Sequence, residues 1–268
     1  MSIEEAAALL ADANRVVVFS GAGISAESGI ATFRDAGGFW EKYPLDTFGT
    51  PGGLAKVAMS QPDQLIAFLL DVLQPIADAE PNAGHRALVD LETDRKVTVV
   101  TQNIDGLHQA AGSEEVHEVH GSLFQIVDGR GAPLRRLRRR ELHKLVASLK
   151  KLRNKRLAAL RLLGTLQPLL GIGPGGLRHR PNVVLFGEAM AEPDWSKSMT
   201  AANRCHAMLM VGTSATVYPA AMLPEAVRER QLPIVGVGPE EGDADIWLEG
   251  TAAEVLPELV KAVTAATR

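Results

Sequence analysis

The stretch 15–35, RVVVFSGAGISAESGIATFRD, constrains the fold most: an apolar, β-branched run empties into a glycine turn, and a long polar loop follows. Arg15 to Phe19 read as a buried parallel strand, because strands covered on both faces show continuous rather than alternating apolar residues. Gly21 and Gly23 then let backbone N–H groups approach a pyrophosphate that a side chain would keep away. Strands also end in glycine for packing alone, so this turn does not decide by itself. The continuation adds weight. Ser25, Glu27, Ser28, Gly29, Thr32, Phe33, Arg34 and Asp35 extend a loop too long and polar for a simple helix start, and long ordered loops are usually functional.

A second cluster follows the apolar run Val97–Thr101 and reads TQNIDGLHQAAG over 101–112. Gln102, Asn103 and Asp105 then stand at a strand's carboxyl end, the edge where open α/β sheets bind ligands. Amide and carboxylate groups there can hydrogen-bond a ribose or a carboxamide, although Asn and Asp also build ordinary turns. A third cluster, VHEVHGS, ends a short extended run on His120, the candidate base, beside His117.

Strands alternating with helices imply an α/β fold: a doubly wound, Rossmann-like parallel sheet with a smaller inserted helical module. Strands are predicted at 15–20, 97–101, 183–186, 207–212 and 233–237, with helices near 2–14, 64–76, 83–92, 105–111, 194–203, 218–229 and 252–266. The Rossmann-like domain is predicted to span 1–127 and 181–268, and the inserted module 128–180. With 46% hydrophobic residues but only 4% aromatic, aliphatic side chains must do most of the packing. No run of about 18 apolar residues suggests a membrane span. The first fourteen residues lack the basic start of a secretory signal, so the chain reads as cytoplasmic. Cys205, the only cysteine, excludes an intramolecular disulfide and reads as a small buried residue.

Residues 130–180 depart from the rest. They hold fifteen Lys or Arg and one acid, Glu141, a charge of +14 in a chain of −4, leaving −18 for the remainder. Leu142, Leu145, Leu149 and Leu152 recur at spacings of 3, 4 and 3, which predicts one amphipathic helix over about 138–163. Gly164 reads as its terminator and GIGPGG at 171–176 as a flexible connector. The basic face is either simply solvated or docks on an anionic partner. Nucleic acid is the weaker candidate, because no aromatic residue interleaves the charges.

The ordered set GAGISAESGI…FR (21–34), PNAGH (81–85), TQNIDGLH (101–108), HG (120–121), PNVVLFGE (181–188) and VGTSATVYPAA (211–221) resembles the sirtuins, the NAD-dependent protein lysine deacylases. The resemblance implies that Gly21, Ala22 and Gly23 cradle the pyrophosphate of NAD and that Phe33 and Arg34 cover the reacting ribose. Gln102, Asn103, Ile104 and Asp105 would serve the nicotinamide side, with Asn103 and Asp105 counted with His120 in the catalytic set. Gly212, Thr213 and Ser214 would complete the ribose and phosphate contacts. An acyl-lysine protein or peptide would add as a strand across Gly187–Glu188, with Val184, Phe186 and Val217 lining its path. His120 would accept a proton from a ribose hydroxyl so that the sugar oxygen attacks the imidate, and collapse with water would give free lysine and O-acyl-ADP-ribose after nicotinamide has left.

Several departures qualify the resemblance. Sirtuins usually carry paired cysteines around a zinc ion in the middle segment; none exists here, so no metal is expected. Ala31 replaces a usual proline, and Gly238 a usual asparagine at the adenosine ribose. Leu69 and Val72 stand where succinyl- and malonyl-removing members carry Tyr and Arg, which favours acetyl or longer neutral acyl groups. A protein ADP-ribosyltransferase using the same pocket, or a non-catalytic NAD-binding or docking protein, are the alternative readings.

Overall fold

A computed structural model describes residues 2–32, 39–154, 158–173 and 176–267. Its strands are β1 (Arg15–Ser20), β2 (Lys96–Thr101), β3 (Val116–Glu118), β4 (Gly121–Asp128), β5 (Pro133–Arg136), β6 (Gly171–Gly173), β7 (Gly176–Val183), β8 (Ala207–Val211), β9 (Ile234–Gly238) and β10 (Ile246–Glu249). Residues 1–30, 80–120 and 190–268 form one unit, and 31–79 with 121–189 the other. The smaller unit is thus wider than the expected module of 128–180, because the segment after the first loop joins it.

The larger unit is a six-stranded sheet in the order β3-β2-β1-β8-β9-β10, with every neighbouring pair parallel. Counted within this sheet the order is 3-2-1-4-5-6, that of doubly wound dinucleotide-binding sheets. The chain reverses its winding between β1 and β8, and that switch point leaves a crevice at the strands' carboxyl ends. The uninterrupted apolar run of β1 has a direct cause: both faces are covered. Val16 and Val18 pack with Leu10, Leu88 and Leu256 from helices Ile3–Ala11, Ala83–Leu91 and Ala252–Ala266. Val17 and Phe19 face the other way, toward Met208, Met210, Leu223 and Val227. Strand β10 was not expected from sequence; four residues in an acidic, glycine-rich stretch carry little signal.

In the smaller unit, antiparallel strands run in the order β5-β4-β7-β6. The single helix expected over 138–163 is instead two, Arg139–Leu152 and Ala158–Leu166, and Gly164 lies inside the second. Residues 171–173 and 176 onward are strand, correcting the flexible connector. The strand expected at 183–186 ends at Val183, and the chain turns at 186–188. The leucine stripe is buried as its spacing required: Leu142 and Leu149 are fully enclosed, with Leu145, Val146 and Leu152 beside them, and Leu162 and Leu166 contribute from the second helix. Both helices pack on helix Pro62–Asp78. Arg139 ends that helix: its guanidinium donates to the carbonyls of Ile76 and Ala79 (2.9 Å to Ala79) and lies 5.1 Å from the Phe124 ring centroid.

The zinc of the sirtuin resemblance does not fit these residues. His143 faces Asp78 at 3.4 Å, and His179 Nε2 donates to the Gln167 carbonyl at 3.0 Å. Among the described residues no three His, Cys, Asp or Glu side chains stand together as a metal would need. The interior of this unit is filled by leucine side chains. Truncating one buried Leu costs about 2–5 kcal/mol, and burying a carboxylate costs more. Leu145→Asp/Leu149→Asp is therefore expected to abolish the folding of this unit, read by circular dichroism and thermal melting. The wild-type melting curve should be indifferent to chelators, with no stoichiometric zinc on metal analysis.

Candidate functional site

At the switch point the backbones of two loops lie against each other. The Gly21 N–H donates to the Val211 carbonyl (3.0 Å) and the Gly23 N–H to the Gly212 carbonyl (2.9 Å). A Cβ on Gly21 would stand 2.8 Å from Gly212 O, and one on Gly23 2.6 Å from Gly212 Cα. Both N–H groups expected to face a pyrophosphate are thus consumed by the neighbouring loop, and glycine is required for the approach of backbone to backbone. The donors left over are others. Among the described residues the N–H groups of Ala22, Thr213 and Ser214 have no protein partner, which suits a pyrophosphate at this edge.

Polar side chains tie the loops after β1, β2 and β8 together. Asn103 is buried, and its Nδ2 donates to the Gly21 carbonyl (3.0 Å) and to Ser25 Oγ (3.2 Å). The carbonyl partner fixes the amide's orientation, leaving Oδ1 unpaired. Ser25 Oγ donates to Asp105 Oδ2 (2.7 Å), while Asp105 Oδ1 accepts from the Leu107 N–H (2.9 Å). Gln102 Nε2 donates to Thr213 Oγ1 (2.7 Å), which also accepts from the Ala215 N–H (3.1 Å). Ala215 adopts φ 51°, a left-handed conformation a non-glycine residue holds only at a cost.

His120 follows β3. Its Nδ1 lies 3.0 Å from the Gln102 carbonyl, which can only accept, so Nδ1 carries the proton and Nε2 offers a lone pair. Burial pushes its pKa below the ordinary value, against the smaller opposing effect of that hydrogen bond. Near neutral pH the ring is an unprotonated base.

Behind the site stand two histidines that sequence reading missed as functional. His108 Nε2 lies 2.9 Å from Ser20 Oγ, and the His108 and His85 ring centroids are 5.0 Å apart. Burial pushes the pKa of His85 down to about 4 and that of His108 to about 3. Asn82 caps helix Ala83–Leu91, accepting from the Gly84 (2.9 Å) and His85 (3.3 Å) N–H groups, and its Nδ2 donates to the Ile24 carbonyl (2.7 Å). The PNAGH segment thereby anchors the first loop. Ser25, the hub of the network, was read only as loop; its position two residues past GAG was the available signal.

The other expected residues are placed as follows. Ile104 is half-buried between Asn103 and Asp105, and Val217 is half-buried after the Gly212–Ser214 turn. Phe33 and Arg34 lie outside the described residues. Val184, Phe186, Gly187 and Glu188 belong to the smaller unit. There Glu188 is held by Arg180 (two contacts of 2.9 Å) and by the Leu185 N–H (2.9 Å), and Gly187 has φ 87°. The segment turns here, the Glu188 N–H donating to the Leu185 carbonyl (3.0 Å). Gly238 also has a local cause: a Cβ there would stand 2.9 Å from Trp247, whose Nε1 donates to the Gly238 carbonyl (3.1 Å).

Comparison with known proteins agrees with this architecture. Residues 21–219 match the model of the Sir2 family. The chain is 38% identical, over 98% of its length and 96% of the relative's, to an NAD-dependent protein deacylase of Desulfosudis oleivorans. A crystal structure of a Sir2 homologue–NAD complex is similar at TM-score 0.76 and 31% identity, covering 99% of this chain and 95% of that one. Sir2Af2 bound to a myristoylated histone peptide is similar at TM-score 0.70 and 28% identity, covering 98% and 96%.

The buried histidines give the larger unit a pH signature. Unfolded, both titrate near 6.5; folded, they stay neutral to about 4 and about 3. Their contribution is therefore complete above pH 6.5 and is lost as pH falls toward those values, by up to about 1.4 kcal/mol per pH unit for each. Urea midpoints taken from about pH 7.5 down to about pH 4.5 should fall accordingly. His108→Gln should flatten the slope.

Proposed function

We infer, from a chain that belongs to the Sir2 family and from a site of this geometry, that it is an NAD-dependent protein lysine deacylase releasing nicotinamide and O-acyl-ADP-ribose. NAD, when bound, supplies the ribose carbon that captures the acyl oxygen and the nicotinamide that leaves. The residues present fit that cofactor: unpaired N–H groups of Ala22, Thr213 and Ser214 would take its phosphates. The unpaired Oδ1 of Asn103 would accept from the carboxamide, with Ile104 and Asp105 beside it. Gly21, Gly23, Gln102 and Gly212 would shape the crevice through the contacts already described. Assignment of Phe33 and Arg34 to the ribose rests on the motif alone.

His120 is the observation that carries the reading. A neutral imidazole with Nδ1–H bound to a carbonyl and Nε2 free is ready to take a proton from a ribose hydroxyl. The Ser25–Asn103–Asp105 network would hold the carboxamide partners rigid, so little reorganisation is left for the reacting state. His120→Ala is expected to lower deacylation by about 10²–10⁴-fold while NAD binding stays within a few-fold. Nicotinamide release coupled to lysine production measures it, and mass spectrometry of the products separates deacylation from ADP-ribosyl transfer.

The acyl side belongs to the smaller unit. Among the described residues Phe39, Trp40, Tyr43, Phe48, Phe68 and Phe186 meet there through ring contacts. Leu69 and Val72 are half-buried on helix Pro62–Asp78, and the nearby Lys42 ammonium is bound to Asp71. Val184 would continue this apolar lining, and the assignment of Val217 to the substrate rests on the motif alone. An acidic acyl group would find a cation already engaged, so neutral acyl groups are the substrates on this reading. Acetyl, propionyl and butyryl peptides should show higher kcat/KM than the succinyl peptide.

The reading extends to a cytoplasmic, zinc-free protein. Cys205 is buried, its thiol donating to the Ala202 carbonyl at 3.2 Å and its pKa pushed up by burial, so it is an inert packing residue. Among the described residues no helix is long and apolar enough to cross a membrane.

A further inference from the structure

The helix Arg139–Leu152 buries one face and leaves a line of charge on the other. At about 100° per residue, Arg140, Lys144 and Lys151 fall within about 40° of one another, opposite Leu142, Leu145, Val146, Leu149 and Leu152. The line spans about 16 Å at a rise of about 1.5 Å per residue. Lys150 stands at its side, and all four cations are exposed.

The protein's own acids do not neutralise them. Asp78 faces His143, Asp63 accepts from the Asn154 N–H (3.3 Å), and Asp71 holds Lys42 and Tyr43 with Arg153 adding attraction. Glu141 is taken by Arg135 and by the Arg138 N–H. Among the described residues no carboxylate lies within ion-pair distance of Arg140, Lys144, Lys150 or Lys151. Four unpaired cations on one rigid helix hold each other's repulsion in place, and an anionic chain laid along them relieves it.

The apolar face is already buried in leucines, so this helix has no hydrophobic side to sink into a bilayer. No aromatic residue between 130 and 180 offers a base a stacking surface. We propose that this stripe docks an acidic polypeptide segment, carried by the proteins whose lysines the enzyme deacylates. The substrate part of this proposal rests on the deacylase reading; the binding part does not.

The test uses polyglutamate and the full chain, by fluorescence anisotropy at about 50 mM and about 300 mM NaCl. The wild type should bind at low salt and weaken at high salt, and Arg140→Gln/Lys144→Gln/Lys150→Gln/Lys151→Gln should bind about tenfold or more weakly with an unchanged melting curve. If that variant melts early, Lys144→Glu/Lys151→Glu takes its place. In deacylation, an acetyl-lysine peptide with an acidic tail should have a kcat/KM advantage over a neutral one in the wild type, and the variant should lose it while processing the neutral peptide normally. Equal polyglutamate binding by wild type and variant overturns the proposal. So does tighter wild-type binding to a DNA duplex or phosphatidylserine vesicles of equal charge, or self-association in sedimentation that the variant abolishes. Should the wild type deacylate neither peptide, the deacylase reading fails and with it the substrate part, while polyglutamate still decides the surface.

Discussion

In the larger unit backbone meets backbone where Gly21 and Gly23 lie against Gly212. Two hydrogen bonds cross that contact, and a methyl group on either side would force the loops apart. The first loop could not then hold Ser25 within reach of both Asn103 and Asp105. The residues commonly credited with admitting a phosphate here first admit another strand's loop. Phosphate donors are what that packing leaves unpaired, at Ala22, Thr213 and Ser214.

A second consequence follows for the chemistry. Because the loops are locked, polar groups can be buried with their partners already in place, which avoids the penalty of an unmet donor or acceptor. His120 is the example: a carbonyl assigns its proton, and desolvation keeps the ring neutral. His85 and His108 are also held uncharged by burial, but each leaves one ring nitrogen, His85 Nε2 and His108 Nδ1, without a hydrogen-bond partner.

The smaller unit solves a different problem. A small module is commonly stapled by metal because it buries too little apolar surface. Here two helices bring leucine and valine side chains onto the helix Pro62–Asp78 and bury them, and Arg139 caps that helix from the side. Concentrating the cations on the opposite face keeps charge out of the core at the cost of leaving a charged stripe in water.

Much of this was legible in the chain. Continuous apolar runs marked the doubly covered strands, the leucine spacing marked the buried helical face, and the clusters around Gly21, Asn103, His120 and Thr213 marked one edge of the sheet, because these signals are periodic or local. Other features were decided only in three dimensions. Ser25 became the hub, Asn82 the anchor, and His85 and His108 a neutral pair through contacts between residues dozens of positions apart, for which local sequence holds no sign. The turn at Glu188 closed because Arg180 reaches back to its carboxylate, and the glycines at 21, 23 and 238 were required by Gly212 and Trp247. Sequence alone determines which residues can be buried and in what rhythm; which partner fills each site depends on the distances that folding brings to zero.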